Sequence, residues 1–232
     1  MLDFSRYEIL TFDCYGTLID WEAGILSALH HVLSAHAKKM DDSTLLKLYG
    51  DFELRAEQAP YQAYREVLAS VVRQFGVELG FTPSPEEVRS LAGSLPAWEP
   101  WPDTVDALRK LRTRFRLAIL SNIDDDLFAA TGPKLAVEFD AVTTAQQARA
   151  YKPSLKLFEF ALSRIQAPAH RVLHVAQSLY HDVIPAQTLG LATVWVNRPS
   201  ARPGAGAVKA AEAKPDLVVT SLAELAATAI AE

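Results

Sequence analysis

Asp13 stands where an apolar run stops and a glycine turn begins, in residues 10–20, Leu-Thr-Phe-Asp-Cys-Tyr-Gly-Thr-Leu-Ile-Asp. A carboxylate at the end of a buried strand faces the crevice at the carboxyl edge of an α/β sheet. From there it can attack an electrophile and form a covalent intermediate. Gly16 lets the backbone turn close to a ligand, and Thr17 offers a hydroxyl and an amide. Three more polar clusters follow apolar runs: Ser121-Asn122, Lys152 within Ala-Tyr-Lys-Pro-Ser, and the segment from Gln177 to Asp182. With all four strand ends at one crevice, Asp13 attacks and Ser121 or Asn122 holds an anionic or polar group of the substrate. Lys152 keeps Asp13 ionised, and Asp182 positions water or Lys152.

The elements that must position these groups are legible as alternating patterns. Short β-rich runs recur at Ile9 to Phe12, Leu117 to Leu120, Ala141 to Thr144, Val172 to Val175, Ala192 to Val196 and Leu217 to Val219. Helical patterns separate most of them, which predicts βαβ units and a parallel sheet. About a hundred residues lie between the first two runs, far more than a crossover needs. The excess reads as helical. Ile25, Leu26, Leu29, Val32 and Leu33 share one helix face; Leu45, Tyr49 and Phe52 suggest a second helix capped near Asp42 or Ser43. Tyr61, Tyr64, Leu68, Val71, Val72 and Phe75 make a third, and Thr82-Pro-Ser-Pro-Glu-Glu leads into a fourth from Glu86 to about Ala92. The division expected is a catalytic core at 1–18 and 98–232 with a helical cap at 19–97. A loop is expected at Pro199 to Ala207.

Composition narrows the function classes. Of 232 residues half are hydrophobic, enough for a large core, and the net charge of -5 with no basic block gives a nucleic-acid backbone nothing to hold. The single cysteine, Cys14, cannot form an internal disulfide, and no apolar stretch approaches the roughly 20 residues that cross a bilayer. A cytoplasmic protein without membrane or nucleic-acid partners is expected. A helical cap with surface aromatics is compatible with a homodimer, and the sequence does not choose the face.

The ordered set Asp13-Cys-Tyr-Gly-Thr, Ser121-Asn122, Tyr151-Lys-Pro and Asp182 resembles the haloacid dehalogenase superfamily across essentially the whole chain. The helical insert directly after the first motif is similar to the cap of the (S)-2-haloacid dehalogenase type. The resemblance implies a Rossmann-like core, a site between cap and core, and an ester intermediate on Asp13. It also implies Lys152 and Asp182 as its catalytic companions. Tyr15, Thr17, Ser121, Asn122, Gln177 and Trp21 are the expected substrate-binding set, although Trp21 could instead pack the hinge.

Two positions separate attack on carbon from phosphoryl transfer. Phosphatases of this superfamily carry a second aspartate two residues after the nucleophile, where Tyr15 stands, and an acidic magnesium ligand in the fourth motif, where Ala176-Gln177 stands. Magnesium wants hard oxygen ligands, so both replacements favour a metal-free reaction with no cofactor. The expected substrate is a small 2-substituted carboxylic acid, most simply a 2-haloacid. Opening of a strained ring such as azetidine-2-carboxylate, a magnesium-dependent phosphatase and a catalytically silent binding protein are the alternatives. Three departures from the (S)-2-haloacid pattern stand out. Gln177 and Leu179 replace a serine and an asparagine near the hydrolytic water, and Phe158 replaces a tyrosine. The halide-binding arginine has no secure match, although spacing would allow Lys47 or Arg55. His181 is a candidate replacement contact, whereas His30, His31 and His36 lack the spacing of a metal pair. Asp124-Asp125-Asp126 reads as a helix cap and Cys14 as packing.

Overall fold

The computed structural model describes residues 2–198 and 206–231, so most of the loop expected at Pro199 to Ala207 lies outside the described residues. Six strands form one sheet: β1 (Ile9–Phe12), β2 (Arg116–Ser121), β3 (Ala141–Thr144), β4 (Val172–Ala176), β5 (Ala192–Val196) and β6 (Leu217–Val219). All neighbouring strands pair in parallel, in the order β3-β2-β1-β4-β5-β6. This is the doubly wound, Rossmann-like α/β order, and the chain reverses direction across the sheet between β1 and β4.

Every residue of β1 is buried, as a central parallel strand covered on both faces requires. On one face Leu10, Phe12, Leu117 and Val175 join the side chains of α5 (Thr104–Arg112) and α10 (Leu222–Ile230). On the other face Ile9, Leu120 and Val172 meet α8 (Leu155–Ile165) and Ala186 of α9 (Ile184–Thr188). The alternation along β1 of residues 9 and 10 between the two clusters is the period-2 geometry of a strand. Two short helices, α6 (Asp125–Thr131) and α7 (Ala145–Ala148), follow β2 and β3.

The stretch between β1 and α5 is helical: α1 (Trp21–Ala35), α2 (Asp42–Glu57), α3 (Tyr64–Leu79) and α4 (Pro85–Ser94), closed by a 3-10 turn at Leu95–Ala97. The apolar faces expected at Ile25, Leu29, Val32, Leu45, Leu68, Val71 and Phe75 are buried against one another, with Phe52 edge-on to Phe75 at 5.1 Å. Ser84 and Glu87 form a reciprocal capping box at the start of α4. The cap of α2 is Asp41 rather than Asp42 or Ser43: its extended backbone lets the carboxylate accept from the Thr44 amide at 3.0 Å. The insert joins the core through a two-chain hinge, where the Asp20 amide donates to the Glu99 carbonyl and the Trp101 amide to the Leu18 carbonyl.

Candidate active site

Asp13 follows β1 directly, and its amide donates to the Val175 carbonyl at 3.1 Å, which extends the pairing with β4 by one residue. The turn after it requires Gly16, at φ +100°, where a Cβ would sit 3.1 Å from the Trp21 indole nitrogen and 3.3 Å from the Gln177 side-chain oxygen. The turn brings Thr17 back beneath Asp13. Its hydroxyl donates to Asp13 Oδ2 at 2.7 Å and accepts from the Gln177 amide at 2.9 Å. Thr17 therefore orients the carboxylate and ties it to the end of β4.

Lys152 reaches the same point from the segment after β3. Its Nζ donates to Asp13 Oδ1 at 2.8 Å, to Asp182 Oδ1 at 2.7 Å and to the Leu120 carbonyl at 3.1 Å, which uses all three ammonium protons. The side chains of Lys152, Asp13 and Asp182 are 2%, 9% and 1% exposed, so the charges meet away from bulk water. Burial pushes the Asp13 carboxyl above the ordinary aspartate range, and the Lys152 charge opposes that rise. Burial acts on Asp182 in the same sense, but there Lys152 and the His174 hydrogen bond outweigh it and hold the carboxyl low. Burial by itself would lower Lys152; the two carboxylates raise it instead and keep it charged.

Asp182 sits in a π-helical turn, Leu179–Val183, immediately before α9. His174, on β4, connects it to the sheet interior: Nε2 lies 3.1 Å from Asp182 Oδ1 and Nδ1 lies 2.9 Å from the Thr11 hydroxyl. A carboxylate at Nε2 assigns the proton to that nitrogen, and the Thr11 hydroxyl then donates to Nδ1. The sequence reading passed over His174 because a histidine inside an apolar strand has no local signal.

The remaining candidates divide by position. Tyr15, Trp21, Ser121, Asn122 and Gln177 line one pocket with Asp13, Lys152 and Asp182. The Ser121 hydroxyl is buried there with no hydrogen-bond partner among the described residues. Asn122 is engaged: its oxygen accepts from the Lys152 amide at 2.7 Å, and its nitrogen donates to the Lys152 carbonyl and to Glu57, each at 3.2 Å. Tyr15 shares a hydrogen bond with Thr131 at 2.8 Å and stands edge-on to Trp98. Trp21 packs edge-on to Tyr49 while also facing the pocket. His181 joins the lining, and burial lowers it to about 4, so it is neutral at neutral pH. Phe158 packs edge-on to His174.

The cap contributes two acids that the sequence reading did not single out. Glu53 accepts from the Tyr49 hydroxyl at 2.8 Å and the Tyr64 hydroxyl at 2.5 Å, and Glu57 lies one turn further along α2. Both line the pocket. The signal was available: Leu45, Tyr49, Glu53 and Glu57 are spaced by four, so two acids continue a buried helical row. Neither Lys47 nor Arg55 reaches the pocket. Lys47 pairs with Asp51 at the surface, and the Arg55 guanidinium lies over the Phe52 ring.

Other expectations resolve elsewhere. Asp124 occupies the position before α6, where its carbonyl accepts from the Phe128 amide but its side chain makes no bond to that helix; its two carboxylate oxygens accept instead from the amides of Tyr64 and Arg65, at 2.8 and 3.0 Å, and so cap α3 of the insert. Asp125 holds Thr144 and Gln147, and Asp126 pairs with Arg65. His30 bonds Asp42, and His36 bonds Glu87 and stacks on Phe81. Cys14 is buried. No helix among the described residues is long and apolar enough to cross a membrane.

Residues 7–190 match the family model described as haloacid dehalogenase-like hydrolase. The chain is 26% identical over 217 residues to an (S)-2-haloacid dehalogenase of Pseudomonas fluorescens, covering 92% of each. Its fold superposes on the L-2-haloacid dehalogenase PA0810 with a TM-score of 0.82 at 24% identity, over 97% of this chain and all of that one. It also superposes on the L-2-haloacid dehalogenase of Xanthobacter autotrophicus, solved with chloropropionic acid covalently bound, at a TM-score of 0.77 and 20% identity over 95% and 97% of the two chains. With the family model spanning most of the chain, the protein belongs to the haloacid dehalogenase-like hydrolases.

Proposed function

We propose that the protein is a metal-independent hydrolase that acts at a carbon centre through an ester on Asp13, with a small 2-substituted carboxylic acid as substrate and a 2-haloacid as the first to try. The observation that carries this reading is the placement of Lys152 Nζ between Asp13 and Asp182, at 2.8 and 2.7 Å. A magnesium ion would draw on the same two carboxylates that Lys152 neutralises, and Tyr15 and Gln177 supply no further anionic ligand. The residues present therefore fit an internal ammonium rather than a divalent cation. The curated relative from Pseudomonas fluorescens, an (S)-2-haloacid dehalogenase, supports the choice of first substrate.

In the proposed reaction one Asp13 oxygen attacks the substrate carbon in line with the leaving group. The new carbon–oxygen bond forms as the carbon–halogen bond breaks, and halide departs with the bonding pair. Lys152 and Thr17 each hold one Asp13 oxygen, which fixes the carboxylate plane before attack. Water then adds to the Asp13 carboxyl carbon, the ester opens, and the hydroxyacid leaves with an oxygen that came from Asp13. The Lys152 ammonium bridges the carboxyl group that water must reach and the Asp182 carboxylate.

Turnover of pooled 2-haloacids in heavy-oxygen water with chelator present, followed by peptide mapping, tests the reading. Label entering the Asp13 peptide, and loss of turnover in Asp13→Asn, are expected. Magnesium-dependent phosphate release with no label on Asp13 would replace it with the phosphatase reading.

A further inference from the structure

The cap side of the pocket is acidic. Glu53 and Glu57 face Asp13 and Asp182 across it, and Lys152 is the only cationic side chain in the lining among the described residues. That lysine is already committed to two carboxylates and a carbonyl. Burial pushes the Glu53 carboxyl above the ordinary glutamate range and the Glu57 carboxyl well above it, so a substrate whose only charge is negative meets two carboxyls there that give it no counter-ion. An ammonium group reverses that balance, because each glutamate that ionises toward it becomes a charge-assisted acceptor.

A separate observation indicates that the pocket is built for a polar ligand. Ser121 is 1% exposed, lines the same pocket, and its hydroxyl has no partner among the described residues. A buried hydroxyl at a cavity wall is completed by what enters the cavity, a polar ligand group or water. The Tyr49 and Tyr64 hydroxyls both donate to one oxygen of Glu53, Oε1, and hold that side chain in place at the cavity wall. The Asn122 amide likewise holds Glu57 Oε1. The cavity measures about 60 Å³, room for roughly four water-sized bodies, so the ligand is small.

We propose that Glu53 and Glu57 form a subsite for a protonated amine, so that the small 2-substituted carboxylic acid attacked by Asp13 is a zwitterion that also carries an ammonium group. The assignment rests on the Asp13 reading only for which end of the substrate reacts. The subsite itself is a binding property.

The test uses the Asp13→Asn variant, which binds without reacting, and three probes of matched size: propionate, 3-aminopropionate and propylammonium. Dissociation constants are measured by calorimetry or by ligand-observed NMR. The two amine probes are expected to bind about tenfold or more tighter than propionate, and Glu57→Gln in the same background should reduce that preference about tenfold. Tyr64→Phe, which keeps the packing and removes one hydroxyl from Glu53, gives a second reading if Glu57→Gln fails to fold. Propionate binding as tightly as the amines, a preference unchanged in both variants, or no amine binding up to ~50 mM would each overturn the subsite. A confirmed preference together with no label on Asp13 would instead refute the ester chemistry alone.

Discussion

Replacing Lys152 by methionine tests the charge balance of the centre most directly. The ammonium is 2.8 Å from Asp13 and 2.7 Å from Asp182, and its removal leaves two buried carboxylates with no counter-ion. Breaking a buried pair by deleting one partner costs about 3–5 kcal/mol, a large share of the roughly 5–15 kcal/mol that holds a typical domain folded. The loss must depend on pH. Without Lys152 the two carboxyls repel, and Asp13, which burial already raises, loses the charge that opposed the rise, so the folded variant takes up a proton there before the unfolded chain does and gains stability as pH falls. The parent behaves oppositely at Asp182: that carboxyl is held low, so its contribution is present above ~3.9 and is lost only as pH falls through the lower folded value. Urea unfolding of parent and variant between about pH 8 and pH 5 should therefore show a gap of ~3–5 kcal/mol at the alkaline end that narrows steadily with acid. A gap below about 1 kcal/mol at the alkaline end, or one that stays constant with pH, would refute the view that Lys152 is the counter-ion of both acids.

Two further substitutions probe the surroundings. Asp124→Ala removes acceptors for the Tyr64 and Arg65 amides; a loss of about 0.5–2 kcal/mol and faster hydrogen exchange at those amides are expected, and unchanged exchange would show that the cross-domain cap is idle. His181 is lowered to about 4 by burial, so the folded state resists its protonation and stability should fall as pH drops from 6.5 toward about 4. His181→Gln should flatten the unfolding curve in that window, and an unaltered slope would place the responsible group elsewhere.

The strands were legible because a parallel sheet buried on both faces leaves short apolar runs, and Ile9 to Phe12 is such a run. The insert was legible because the apolar rows of α1 and α3 repeat at helical spacing. Asp13, Lys152 and Asp182 could be picked out because each follows a strand, and parallel strands deliver their ends to one edge. What escaped depends on contacts between distant residues. Asp124 looks like the cap of the helix that follows it, and only the three-dimensional arrangement shows it capping a helix some sixty positions earlier. His174 looks like a strand residue until Asp182 and Thr11 are seen on its two nitrogens. Glu53 and Glu57 continue the buried row of Leu45 and Tyr49 at helical spacing, but what that row faces appears only once α2 lies over the ends of the strands.

The central place of β1 carries a consequence for the order of events. Its residues are paired on both sides, to β2 and to β4, and the Asp13 amide continues the second ladder. The peptide that carries the nucleophile is therefore tied into the sheet on the side of β4 and continues a strand paired on both sides. Under the proposed chemistry the alkylated Asp13 cannot swing toward a hydrolytic group; water and its activating partner must travel to a stationary target. The second half of the cycle is then governed by delivery, and a slow variant would be sought among the groups that admit and aim that water rather than along the strand that bears the ester.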